Sequence, residues 1–257
     1  MSPTAPYNRG LVYHKVSPAF EWGLTTTKPD QFKAQMSEIR QLGLSFARLR
    51  DHDRIENPVY VTFDDAYDSL HEHALPLMIE LNAVATLYVI VDYVGKANSW
   101  DYFPERHQVR HLDWSQLQDF VNAGWEIGSH ALTHRNLCSL PQRERLSEIQ
   151  TSRKMLEDRL GIEVTSFCPP YNIWSHDVLE EITAAGYTSM SISFPLTPQP
   201  EWNGFILPRQ GVYRHDGLSL FRSKLFPTPL TPLSVLLQQL INIGGQGPNS
   251  GARLTGR

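Results

Sequence analysis

Val59-Tyr60-Val61-Thr62-Phe63-Asp64-Asp65 is the stretch on which the fold turns. Five uncharged residues, β-branched or aromatic, read as a buried strand, and two adjacent aspartates close it. The same pattern recurs twice. Trp125-Glu126-Ile127-Gly128 runs into Ser129-His130-Ala131-Leu132-Thr133-His134, and Val164 to Cys168 runs into Pro169-Pro170-Tyr171. Three polar clusters, each at a strand C-terminal end, are what barrel-like α/β folds use to gather their chemistry.

Working outward, Leu11 to His14, Ala85 to Val91, Thr188 to Ser193 and Ile206 to Val212 complete a set of seven strand candidates. They lack strict apolar/polar alternation, which predicts strands covered on both faces, as in a parallel sheet. Helical patterns fall between them. Pro29 opens one with Phe32, Met36, Ile39 and Leu42 on a stripe and Gly43 as its stop. Asp113 with Gln116 forms a capping box before Leu117, Phe120 and Val121, with Gly124 as the end. Ser139 with Gln142 repeats the device ahead of Leu146, Ile149, Leu156 and Leu160, up to Gly161, and Ser175 caps a helix that ends at Gly186. Residues 70–81 also read as helical, broken or kinked at Pro76. Strand and helix in alternation predict right-handed crossovers and a parallel sheet, either open or closed into a barrel. Periodicity does not choose between the two.

At 257 residues the chain suits one α/β domain. We expect that domain over residues 8–225, a peripheral helix over 226–243, and a Gly/Ser/Asn-rich disordered tail over 244–257. A net charge of -4 without a Lys/Arg cluster argues against a nucleic-acid partner. No run approaches the roughly 20 apolar residues of a membrane helix, and the N-terminus shows no signal peptide, so the expectation is a cytoplasmic protein, with action outside the cytoplasm left open. Cys138 and Cys168 are expected to be free thiols, with no cysteine-based zinc site.

The three clusters supply two carboxylates and two imidazoles. A divalent metal that accepts nitrogen and oxygen wants two His and one carboxylate, with a position left open for water or substrate. The spare Asp is then free to move protons. Taken singly each motif is ordinary: adjacent aspartates after a strand cap helices, and His-x-x-x-His can be two surface imidazoles. Their joint occurrence at three strand ends favours a site.

Thr62-Phe63-Asp64-Asp65, the His130/His134 pair in Gly-Ser-His-Ala-Leu-Thr-His and Pro169-Pro170-Tyr171 resemble the first three signatures of the polysaccharide deacetylases, the NodB-homology or carbohydrate esterase 4-like family. The resemblance implies a deformed (β/α)7 barrel of mainly parallel strands. It makes Asp65, His130 and His134 the ligands of a metal, zinc by default with cobalt or nickel as substitutes, and Asp64 the catalytic base. It also assigns the backbone N–H of Tyr171 to the oxyanion. The implied activity is hydrolysis of a carbon–nitrogen bond other than a peptide bond, with an N-acetylated glycan as substrate. A small non-saccharide amide, or a catalytically silent glycan-binding role, are the alternatives.

The family's usual order places a general-acid His near the C-terminus, and no such segment stands there. Leu11-Val12-Tyr13-His14 at the front is similar to the circularly permuted branch that deacetylates poly-N-acetylglucosamine, so His14 is the expected acid and His215 its rival. First and last strands are neighbours in a closed barrel, so the move preserves geometry. Many relatives carry an Arg where this chain has Cys168; Arg209 on the last strand is the candidate replacement, and a surface salt bridge its ordinary alternative. Asn172 replaces a common Gly yet tolerates left-handed angles, and Ala131 replaces a frequent Ser or Thr. His71, His73, His107, His111 and His176 read as solvent-facing imidazoles. Trp100, Asp101 and Tyr102 lie on a long connection that could wall a groove.

Overall fold

The computed structural model describes residues 9–19, 24–51, 54–99, 109–193 and 205–245. Ten strands appear among them: β1 (Gly10–Tyr13), β2 (Lys15–Val16), β3 (Thr26–Thr27), β4 (Ser45–Phe46), β5 (Pro58–Phe63), β6 (Thr86–Val89), β7 (Glu126–Ser129), β8 (Ser166–Phe167), β9 (Ser189–Ser193) and β10 (Ile206–Gly211). Strand β1 decides the architecture. It pairs in parallel with β10 on one side, Gly10 opposite Arg209, and with β5 on the other, Gly10 opposite Tyr60. The run β1-β10-β9-β8-β7-β6-β5 therefore closes into a seven-stranded parallel barrel. All seven expected strands are its staves. The two-residue strands β2, β3 and β4, too short to carry a period, lie outside the ring.

The barrel corrects one expectation. Its strands do alternate, but between apolar residues outside and largely polar ones inside. Val59, Val61 and Phe63, with Leu11, Tyr13, Leu87, Val89, Ile127, Phe167, Met190 and Ile192, belong to the main core under the helices. Residues of the opposite parity face the barrel axis. There Tyr60 and Leu207 form a small apolar plug with Ala47 and Leu49, Thr86 bonds Glu126 at 3.3 Å, and Tyr88 bonds Ser191 at 2.7 Å. Gly128 makes room for this filling: a Cβ there would stand 2.5 Å from the Tyr88 ring and 2.6 Å from Ser166 Oγ.

Helices α1 (Pro29–Gln41), α2 (Ser69–His73), α3 (Leu75–Glu80), α4 (Trp114–Asn122), α5 (Gln142–Leu160), α6 (His176–Ala184), α7 (Leu218–Leu225) and α8 (Thr231–Gly245) complete the described chain. The Asp113/Gln116 capping box forms with both bonds, and Ser175 caps α6. Pro76 sits in the first turn of α3, beyond a break at Ala74. Ser139 is not a cap: α5 starts after Pro141, while Ser139 ends a 3-10 turn and donates to Asn136 O at 2.7 Å. Helix α8 docks through buried polar groups. Gln238 receives Gly211 N–H at 2.5 Å and donates to Tyr213 at 2.6 Å, and Ser234 donates to Gln210 at 3.2 Å. It runs on to Gly245, and the expected tail beyond it falls outside the described residues. Among the described residues no helix is long and apolar enough to cross a membrane.

Candidate active site

The ladder hydrogen bonds run one residue past several strands: Asp64 N–H to Tyr13 O, His130 N–H to Val89 O, and Cys168 N–H to Ser129 O, at 2.9 to 3.0 Å. The inner parity therefore continues through His14, Asp64, His130 and Cys168, which gather at one mouth of the barrel. Past that point the backbone turns sharply. Of eight non-glycine residues with positive φ among those described, six sit in the three motif loops: Asp65, Ala66, Ala131, His134, Tyr171 and Asn172. Each costs about 1–2 kcal/mol, a strain that clusters where function dictates geometry.

The turn at Asp65, with φ 71°, brings its carboxylate to the two imidazoles. Asp65 Oδ1 stands 3.5 Å from His130 Nε2 and 3.6 Å from His134 Nε2, all three side chains being buried. His130 Nδ1 lies 2.7 Å from Cys168 O, which can only accept, so Nδ1 carries the ring proton. Burial pushes the His130 imidazole below its ordinary value, which keeps it neutral, and Nε2 then offers a lone pair toward a carboxylate oxygen. Two lone pairs at that distance repel unless a cation stands between them. Donors about 2.0–2.2 Å from a tetrahedral zinc stand about 3.3–3.6 Å from one another, so these three residues fit such an ion. Asp64, His130 and Cys168 also bring ligand atoms within 4.8 Å of one another. That set does not fit: both Asp64 oxygens already meet the Arg209 guanidinium, and burial raises the Cys168 thiol well above its ordinary value, so it stays protonated.

Arg209 is 1 % exposed, the reverse of a surface salt bridge. Its Nη1 donates to Asp64 Oδ1 at 2.7 Å and to Thr62 Oγ1 at 2.7 Å, and its Nη2 to Asp64 Oδ2 at 2.9 Å, beside Cys168 Sγ at 3.0 Å. The guanidinium thus arrives from β10 over the shortened side chain at Cys168, and lies 5.2 Å above the Tyr88 ring. Burial alone would lift the Asp64 carboxyl, but Arg209 and then His130 carry it down to about 2. Asp64 is an oriented, ionised carboxylate.

His14 follows β1 and interacts electrostatically with Asp64, His130 and His134. Burial pushes it down to about 4 against the pull of Asp64, although part of its surface stays open. His215 is elsewhere: its side chain is 42% exposed, stacked on Tyr213 and 3.7 Å from Asp216. Tyr171 stands at the rim, its ring 4.6 Å from His134, in a left-handed turn that Asn172 continues with φ 56°.

His71 and His176 pair with Asp119 and Glu180 at the surface, as a solvent-facing reading requires. His111 overturns it, being 3% exposed and 2.7 Å from Asp65 O through Nδ1. The sequence signal was absent because a single His between Arg110 and Leu112 has no period. Glu148 on α5 was equally invisible: buried, it accepts the backbone N–H of Leu132 at 3.0 Å and of Thr133 at 2.8 Å, bracing the loop between the two histidines. His107, Trp100, Asp101 and Tyr102 lie outside the described residues.

Comparison with known proteins agrees with this barrel. The chain is 24% identical over 186 residues to YxkH of Bacillus subtilis (strain 168), covering 69% of this chain and 61% of that one. It is 22% identical over 198 residues to the poly-beta-1,6-N-acetyl-D-glucosamine N-deacetylase of Staphylococcus aureus, covering 70% and 65%. The chain thus spans under two thirds of the length of either relative. In fold it is similar to the Streptococcus pyogenes deacetylase PplD, with TM-score 0.74 and 17% identity over 86% of this chain and 100% of that one. It is also similar to BC0361, a polysaccharide deacetylase from Bacillus cereus, with TM-score 0.70 and 21% identity over 84% and 68%. The family model for polysaccharide deacetylases matches residues 51–190, more than half of the chain and all three motif loops, and the chain belongs to the polysaccharide deacetylase family.

Proposed function

We propose that this chain is a metal-dependent hydrolase that removes N-acetyl groups from the amino sugars of a polysaccharide or oligosaccharide. The observation that carries the reading is the convergence of Asp65, His130 and His134 on one point beside an Asp64 held ionised by Arg209. Its relation to a poly-beta-1,6-N-acetyl-D-glucosamine N-deacetylase supports a glycan as the substrate. A divalent ion of the zinc class, held by Asp65, His130 and His134, would supply Lewis acidity for the acetamido carbonyl and lower the pKa of water.

The chain's own groups do the remainder. Asp64 accepts a proton from the attacking water while Arg209 keeps its carboxylate in one orientation. The backbone N–H of Tyr171 offers a hydrogen bond to the carbonyl oxygen as negative charge develops there. His14 protonates the amine as the carbon–nitrogen bond breaks. Because His14 is neutral in the resting site, it acts as the acid only after receiving the proton that Asp64 has taken from water, which returns Asp64 to its ionised form. The acetic acid released gives its own proton to the amine, so water and acetamide enter and acetate and the protonated amine leave.

Acetate release from chitin oligomers and poly-N-acetylglucosamine tests the reading. Release should cease with chelator and return with zinc, and with cobalt or nickel in its place. Release indifferent to chelation would remove the metal, and no release from either glycan by metal-loaded protein would remove the activity. His14→Ala should lower turnover by about 10²–10⁴-fold, as loss of a general acid does. His215→Ala, a surface change, should stay within about a factor of 2. The opposite ranking would give His215 the acid's role.

A further inference from the structure

Asp65 reaches the two imidazoles from an unfavourable backbone. With φ 71° at Asp65 and 53° at Ala66, two consecutive side-chain-bearing residues occupy the left-handed region. Both of their carbonyls are taken from the same segment: Asp65 O by His111 Nδ1 at 2.7 Å, and Ala66 O by Leu112 N–H at 2.9 Å. Asp68 N–H donates to Arg110 O at 2.9 Å, and Tyr67 and His111 form an antiparallel bridge. Residues 110–112 thus grip residues 65–68 along one side. The grip is itself anchored, because His111 N–H donates to Lys96 O at 3.0 Å and Leu112 O receives Gly95 N–H at 2.9 Å. The His111 ring is stacked on Tyr67 at 4.9 Å and tilted against Tyr93 at 5.2 Å, so its direction is set by packing. A carbonyl can only accept, so Nδ1 carries the proton.

We propose that His111 is a positioning residue for Asp65: its Nδ1–H holds the Asp65 peptide in the left-handed conformation that aims the carboxylate at His130 and His134. This role rests on the metal-centre reading above. If the bond is lost, φ of Asp65 is free to relax toward negative values, and Cβ and the carboxylate swing with it. His111 Nδ1 bonds the Asp65 backbone and not its carboxylate, so the proposed effect passes through the Asp65 loop. Partners that orient ligands in this way typically contribute about 10–100-fold to metal affinity.

The test uses Co2+ as probe on the full chain stripped of metal, reading the visible spectrum and the dissociation constant for wild type, His111→Phe and His111→Asn. Phenylalanine keeps a flat ring between the tyrosines and loses the donor; asparagine restores an N–H near the place of Nδ1. His111→Phe should bind Co2+ about 10–100-fold more weakly, with a changed spectrum, and His111→Asn should recover most of both. Wild-type affinity and spectrum in folded His111→Phe would overturn the role, as would His111→Asn as weak as His111→Phe. If His111→Phe does not fold, His111→Asn decides alone: a wild-type spectrum and near wild-type affinity sustain the role, and their loss ends it. Wild type without Co2+ binding would sink the metal centre and this role with it, whereas wild-type binding that the His111 changes leave untouched sinks only the role.

Discussion

Asp64→Asn is expected to lower acetate release by roughly 10²–10⁴-fold while the metal content of the purified protein stays at the wild-type level. The two effects separate because Asp64 and Asp65, though adjacent, face different partners: Asp65 the imidazoles, Asp64 the guanidinium of Arg209. An amide in place of the carboxylate cannot take a proton from water, and it presents only one acceptor to a fork of two donors. Arg209 is then a buried cation with half its partner, so stability should fall as well, by up to about 3 kcal/mol. Turnover measured well below the melting transition, beside a metal assay, distinguishes lost chemistry from lost fold. A folded, metal-replete Asp64→Asn with wild-type turnover would remove Asp64 from the mechanism.

Arg209→Leu carries the larger structural effect. It leaves the Asp64 carboxylate buried and unpaired, a change that costs about 3–5 kcal/mol when one partner of a buried ion pair is removed. In a chain of this size that is a fall in melting temperature of about 10 °C. Turnover should fall too, because the base loses both its orientation and the charge that keeps it ionised. The same geometry suggests a rescue. Cys168 Sγ lies 3.7 Å from Asp64 Oδ2 and 3.0 Å from Arg209 Nη2, so a longer side chain from position 168 enters the space that Arg209 vacates. Cys168→Arg combined with Arg209→Leu should therefore recover part of both the melting temperature and the turnover. An Arg209→Leu protein as stable and active as wild type would show that the guanidinium does not govern Asp64.

The candidate ligands and base were legible because their spacing is local. Adjacent aspartates at a strand end and two histidines four apart need only a turn to become neighbours, and the flanking apolar runs announce the strands. The helices with intact punctuation were readable for the same reason: Asp113/Gln116 and Ser175 cap where expected, and Gly161 takes φ 65° at the end of α5. Ser139 failed because Pro141 starts α5 by itself, with φ -55°. The alternation of the barrel strands was missed because small and hydroxylated residues such as Ser189, Ser191 and Thr62 line the interior, where a search for apolar periodicity finds nothing.

The sequence alone determined the seven barrel strands and the identity of the clustered carboxylates and imidazoles, since strand propensity and motif spacing are properties of short windows. Only the tertiary structure decided that β1 closes the ring between β5 and β10, that Arg209 reaches across to Asp64, and that His111 and Glu148 hydrogen-bond the loops carrying Asp65 and the two histidines. Those pairings depend on strand register and on where distant segments pack. Residues 145, 46 and 15 positions apart become partners through space, and no local pattern records the distance they will end up from one another.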